Sequence, residues 1–274
     1  MFRLTITRTT WQFGLICLLL LISGKSTATD FRLSVGSYFS TGNYGVDEDI
    51  LNKDTRIYAL PISFQARRWP WTIKLSSNYI WLNSNQVTNA GNTDTDGRSE
   101  NESDKREETG LGDTLLTLSH GWLFNTSRSL NRKLYSAAWF KIKIPTADDD
   151  KDLGSGEFDY EPGITVSHLG EWSPFLKLSF RWRGDSDETN YHHQWKTSIG
   201  LSHKTNRRWQ ASGFLSSREA STNLGQTNTS AYLSIRYQIS RTWTVTPYAG
   251  CGLSSGSPDY ALGWNLLYRF PRAQ

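Results

Sequence analysis

From residue 30 onward the chain alternates apolar and polar residues with a period of two, the spacing that gives a β-strand one face in an apolar medium. In the last stretch Tyr260, Leu262, Trp264, Leu266, Tyr268 and Phe270 alternate with Asp259, Ala261, Gly263, Asn265 and Arg269. The same period runs through 71–81, 134–144, 176–182 and 231–237. It predicts about twelve strands, near 31–39, 56–67, 71–82, 111–124, 133–144, 157–168, 174–184, 191–204, 207–218, 228–238, 241–253 and 258–270. They are long for a soluble sheet, where about 5–6 residues is usual. A tilted strand needs roughly 9–11 residues to cross a bilayer, which most of them supply.

The connections sort by parity. Those at 67–70, 125–132, 170–173, 205–206 and 239–240 are short, whereas those at 40–55, 83–110, 145–156, 185–190, 219–227 and 254–257 are mostly longer and polar. Short and long alternate, so every tight turn falls at one end of the sheet, as in an outer-membrane barrel with periplasmic turns and extracellular loops. Hydrocarbon offers no partner to a backbone N–H or C=O, so a spanning sheet must close on itself. The expected fold is therefore all-β, a single antiparallel transmembrane β-barrel of about twelve strands with both ends in the periplasm. Trp71 and Trp81 bracket one strand as interfacial aromatics do, and Trp122, Phe124, Trp209, Trp243, Tyr268 and Phe270 sit where a periplasmic girdle belongs.

Residues 1–28 read differently. Arg3 and Arg8 precede an apolar stretch over 14–22, and Ser26-Thr27-Ala28 supplies the small residues of a cleavage site. That is the three-part pattern of a cleaved signal peptide, leaving 29–274 as the barrel. Cleavage removes Arg3, Arg8 and Lys25 with no acid, lowering a formal net charge of +4 by three. A nucleic-acid partner, which needs a concentrated basic face, is not expected. Cleavage also removes Cys17 and leaves Cys251 alone, read as a small hydrophobe, buried or against lipid. A mean hydropathy of −0.53 with one apolar run excludes a helical membrane protein. An aromatic content of 13% argues against disorder, apart from the polar stretch 83–110, which reads as a flexible external loop.

Parity also sorts the charges. The inward faces are expected to carry Arg32, Lys74, Lys141, Lys143, Lys177, Arg181, Arg183, Lys196, Lys204, Arg218, Arg236 and Arg269, against the acids Asp113, Asp159, Glu161 and Asp259. A lipid-facing Lys or Arg at mid-bilayer costs about 2–4 kcal/mol, so such charge belongs toward the lumen. A cationic pore concentrating anionic solutes such as aromatic carboxylates is one reading. A network of paired charges filling a narrow barrel is the other. The partners implied are outer-membrane lipid and a small-molecule solute; the oligomeric state is left open.

Gly110-Leu111-Gly112-Asp113, then Lys143-Ile144-Pro145-Thr146-Ala147 and Leu153-Gly154-Ser155-Gly156, followed by Asp159-Tyr160, resemble an outer-membrane β-barrel family named after the meta-pathway of phenol degradation. The likeness extends over nearly the whole mature chain, with Ala147 where family members usually carry Gly. It implies uptake or export of hydrophobic or aromatic small molecules. Independently of the family, Gly154 and Gly156 suit a positive-φ turn and a bulged strand entry.

Cofactor and metal chemistry find little support. The Asp148–Asp152 run fails the EF-hand pattern, since Leu153 and Asp159 fall where Gly and Glu are required. A GxG with no following helix is no phosphate cradle. No cofactor is expected. His192-His193, beside Asp185, Asp187 and Glu188, is the cluster nearest to a catalytic or metal constellation, while His120, His168 and His203 fall toward the periplasmic ends of their strands. An outer-membrane lipid-modifying enzyme and a soluble secreted ligand-binding β-protein remain the alternatives. The soluble reading requires Leu262, Trp264, Leu266, Phe140 and Ile142 to meet in a dry interior.

Overall fold

The computed structural model describes residues 29–42, 52–87, 103–127, 132–147, 151, 153–154, 156–184, 192–220 and 226–271. The expected leader, 1–28, lies outside them, as do Asp148, Asp149, Asp150 and Asp152 of the acidic run.

Among the described residues thirteen strands form one sheet. They are β1 (Asp30–Gly42), β2 (Asn52–Arg68), β3 (Trp71–Val87), β4 (Ser103–Leu111), β5 (Thr114–Ser127), β6 (Arg132–Ile144), β7 (Asp159–Leu169), β8 (Trp172–Arg181), β9 (Gln194–His203), β10 (Trp209–Arg218), β11 (Asn228–Gln238), β12 (Trp243–Gly252) and β13 (Tyr260–Arg269). Chain neighbours pair antiparallel, and β1 pairs with β13, Arg32 opposite Arg269 and Thr41 opposite Tyr260, so the sheet closes. β4 and β5 occupy a single position in it. β4 pairs with one half of β3, Tyr79 opposite Leu111, and β5 with the other, Ser76 opposite Leu115. Between these pairs the register slips by one residue, a β-bulge at Gly112-Asp113. There the Gly112 N–H donates to the Asn78 carbonyl at 2.8 Å. The barrel therefore has twelve staves.

One expectation is corrected. The stretch 83–110 is not all loop, because β3 runs on to Val87 and β4 begins at Ser103. This hairpin satisfies its backbone by its own pairing. Its Asn, Ser, Glu and Thr residues stand on both faces, so it carries no apolar alternation to betray it.

The apolar face points out. Leu262 is 52% exposed, Trp264 44% and Phe140 40%, which excludes the dry interior that a soluble protein would need. The buried residues are instead mostly small or polar, among them Ala59, Ala261, Lys143, Asp159, Glu161 and Gln194. Cys251 is exposed on the outward face of β12, opposite Tyr260. An apolar groove of about 590 Å³ on this outer wall, lined by Leu118, Ala138, Phe140, Pro162, Ile164 and Leu178, has the chemistry of an acyl-chain berth. Leu233→Arg, at the outward position that is 71% exposed, is expected to cost about 2–4 kcal/mol of stability in lipid vesicles. Equal unfolding midpoints for native and variant would place that face in water.

Aromatic belts mark the edges of the apolar band. Trp71 and Trp81 both face out, as do Trp172 and Trp182 ten positions apart. Ten residues rise roughly 33 Å along a strand, or about 25 Å after a tilt near 40°, the height of an outer-membrane apolar band. At the short-turn end His120 packs between Trp71 and Trp122, with ring centroids 4.6 Å away on each side, and Trp172 stacks on His203 at 4.1 Å. The tight turns are held by side chains. The Asn206 carbonyl oxygen accepts from the Arg208 and Trp209 N–H groups, and Ser240 Oγ from those of Thr242 and Trp243.

Candidate functional site

A knot of charge sits on the inner wall of β6 to β9. Glu161 is 3% exposed. Its Oε1 accepts from Lys141 Nζ at 3.0 Å and Ser179 Oγ at 3.2 Å, and its Oε2 from Arg181 Nε at 2.9 Å and Lys196 Nζ at 2.8 Å. Asp159, 2% exposed, lies 3.7 Å from Lys143 Nζ and 3.8 Å from Arg181 Nη1. Lys143 reaches on to Asp113 at 3.2 Å. Lys196 stands on β9 and Glu161 on β7, so the knot spans staves that do not pair with each other. This is how a narrow lumen accommodates buried carboxylates: each keeps several charged donors.

The register puts ten of the twelve candidate residues on the inward side, in different company, while Asp113 sits in the bulge and Arg183 just past β8, outside the paired positions. Lys141, Lys143, Arg181, Lys196, Asp113 and Asp159 belong to the knot. Arg32 and Arg269 pair with Asp30, at 2.5 Å and 3.5 Å, near the short turns. The Arg183 N–H donates to His193 Nδ1 at 3.4 Å. Among the described residues no carboxylate pairs with Lys74, Lys177 or Arg236, nor with Arg218. Lys177 Nζ lies 4.7 Å and Lys141 Nζ 5.1 Å from the Trp139 ring centroid. The charges of Lys74, Lys141 and Lys177 act on one another inside the barrel, and Arg236 feels Arg32 and Arg269.

The glycine-rich stretches turn out to be one joint. At the bulge, the Thr114 N–H donates to Thr146 Oγ1 at 2.9 Å, Thr146 Oγ1 donates to the Gly112 carbonyl at 3.4 Å, and the Ala147 N–H donates to Asp113 Oδ1 at 3.3 Å. Gly154 packs so closely on Ala147 and Asp113 that a Cβ there would strike both. Leu153 is buried over Gly110. Positive φ is needed at Gly156 (65°). At Gly154 the requirement is space, which corrects the expectation of two positive-φ glycines. The motif thus ties the start of the β6–β7 connection to the β4–β5 bulge on the lumenal side.

A sequence model of the family described as "Putative MetA-pathway of phenol degradation" matches residues 24–270. The chain belongs to this family. No curated protein matches it in sequence. Among solved structures it is similar to the COG4313 outer membrane channel from Pseudomonas putida F1, with a TM-score of 0.64 and 12% identity over 89% of this chain and 97% of that one. It is also similar to the translocator domain of the autotransporter NalP from Neisseria meningitidis, with a TM-score of 0.53 and 9% identity over 96% of this chain and 95% of the other. The KdgM porin in complex with disordered oligogalacturonate gives 0.50 and 10% over 87% and 99%. At such identities the likeness establishes the fold, an outer-membrane β-barrel.

Within this family member the histidines stand on the outer wall or rim. His120, His168 and His203 take outward positions at the short-turn ends. His192 and His193 are exposed before β9, with His193 edge-on to Phe180 at 6.0 Å. Among the described residues no three potential metal ligands converge.

Sequence reasoning put Tyr135, Trp139 and Tyr232 in the polar series of their strands but gave the inward aromatic rings no role. Phe175, Phe214, Tyr232, Tyr248, Tyr38, Tyr135 and Trp139 occupy polar-parity positions. Several lie on a glycine of the adjoining stave: Trp139 on Gly163, Tyr135 on Gly121, Phe175 on Gly200, Tyr232 on Gly250 and Tyr248 on Gly263. The available signal was an aromatic out of phase with the apolar face, opposite a glycine. Reading it requires the strand register.

Proposed function

We propose that residues 29–274, after removal of a 1–28 leader, form an outer-membrane channel for small organic molecules, with a preference for anions and with hydrophobic or aromatic acids among its solutes. Passage is passive and involves no covalent step. The observation that carries this reading is the presence of inward cations without a carboxylate partner among the described residues: Lys74, Lys177, Arg218 and Arg236. Paired charges would only brace the wall, whereas unpaired ones leave a positive potential inside, which draws anions and repels cations. A cavity of about 380 Å³ inside the short-turn end, lined by Tyr135, Thr165, Ser167, Phe175, Ser202 and Gln210, gives solute room there. In planar bilayers under a KCl gradient, the purified protein is expected to carry a steady current whose reversal potential lies on the chloride side. Silence across salts and voltages would count against a channel.

A further inference from the structure

We propose that the inner wall from β8 to β1 carries a binding site for aromatic carboxylates, in which the solute ring stacks on Phe214 and Tyr232 and its carboxylate meets Arg218. The proposal rests on the channel reading and adds to it a place and a ligand class.

The rings form a continuous arc. Phe214 and Tyr232 stack with centroids 5.1 Å apart and planes 19° from parallel, and Phe175 follows at 6.2 Å from Phe214. Gly200, Gly250 and Gly263 lie beneath the rings of Phe175, Tyr232 and Tyr248, and a Cβ at any of them would collide with the ring above; at Gly200 it would also strike the Cβ of Phe214. Lacking a side chain, each glycine lets its ring settle on the backbone of the inner wall. Trp139 lies the same way on Gly163, but Lys141 and Lys177 stand over its ring.

Charge and hydroxyl groups share this wall with the rings. Arg218 is on the inward face of β10, four residues beyond Phe214, and feels Arg181 and Arg183 first, then Tyr232 and Tyr38. Tyr38, Tyr232 and Tyr248, on β1, β11 and β12, also act on one another, and the Tyr248 hydroxyl donates to the Ser37 carbonyl at 3.5 Å. A guanidinium can bind a carboxylate through two parallel hydrogen bonds, and neighbouring hydroxyls can donate to the same oxygens. A flat ring with a carboxylate at its edge suits both halves of this arrangement. A saturated ring of equal charge and similar size suits only one.

The test uses the full mature chain in detergent and compares benzoate with cyclohexanecarboxylate by ligand-observed saturation-transfer NMR. Benzoate is expected to bind about fivefold to tenfold more tightly, the discrimination that one stacking contact supplies. In Phe214→Leu/Tyr232→Leu, with folding checked by heat-modifiable gel mobility, the two acids are expected to bind within twofold of each other. Arg218→Gln should weaken both acids alike. Equal affinity of the native protein for the two acids overturns the site, and that comparison needs no variant. Discrimination that survives in the double variant overturns the assignment to these rings. Chloride conductance without discrimination sinks the site and leaves the channel standing; benzoate discrimination in a protein that passes no current does the reverse.

Discussion

Replacing Lys74 and Lys177 together with glutamate is expected to turn an anion-preferring pore into a cation-preferring one. Both lie on the inward face, both act on Lys141, and neither is paired with a carboxylate among the described residues. Each reversal changes the local charge by two units. A unit charge about 7 Å from a passing ion in water is worth roughly 0.6 kcal/mol, and a Debye length near 10 Å at 0.1 M salt trims that further. Four units of change then shift the chloride-to-potassium permeability ratio by about tenfold or more. The readout is the reversal potential in a KCl gradient, which should change sign. Lys74→Gln/Lys177→Gln should move it about half as far and guards against misfolding, since a glutamate at 177 would stand near Glu161. A ratio unmoved by either variant removes these lysines from the path. Reversing Lys141 and Arg181 is a poorer experiment, because both hold Glu161 and the wall would suffer with the selectivity.

Glu161→Leu is expected to destabilise the barrel by about 3 kcal/mol. Removing one partner of a buried charge cluster costs about 3–5 kcal/mol, chiefly because the remaining charges stay desolvated and uncompensated. Here three cations lose their common acceptor, and the lower end applies because lumenal water relieves part of the penalty. Unfolding by urea in lipid vesicles measures this, along with the temperature at which the compact form on gels is lost. Glu161→Gln keeps two hydrogen-bonding positions and should lose less. Adding Lys141→Met to Glu161→Leu should recover part of the loss, since one stranded charge disappears with its partner; strict additivity would mean that the two residues do not interact. A loss below about 0.5 kcal/mol for Glu161→Leu would show that the knot contributes no stability.

The two readings of the inward charge divide between these experiments. The paired residues (Lys141, Lys143, Arg181, Lys196, Asp113, Asp159 and Glu161) act as internal bracing. The cations without a carboxylate partner among the described residues are the ones proposed to give the lumen its sign. Parity alone cannot separate the groups, since Lys177 and Lys196 occupy equivalent polar positions on adjoining strands. Lys196 Nζ reaches Glu161 across an intervening stave at 2.8 Å, and Lys177 Nζ lies over Trp139 instead.

The same division runs through the whole molecule. Strand period, strand length and the parity of connections are local quantities, and they determined the barrel, its outward face and its belts of Trp from 274 residues of sequence. A side chain's exposure to oil or to lumen follows from its own position in the alternation, so it can be read one strand at a time. The polar β3–β4 hairpin escaped because backbone pairing in water asks for no such alternation. Register and closure are not local. Only the folded barrel decided that Gly110 and Gly112, Pro145 to Ala147 and Gly154 make one joint, that Tyr232 lies on Gly250, and that Glu161 gathers cations from three strands. Each of these contacts joins residues set side by side by hydrogen-bond registers summed around a closed sheet, and a shift of one residue in any stave would send them to opposite faces.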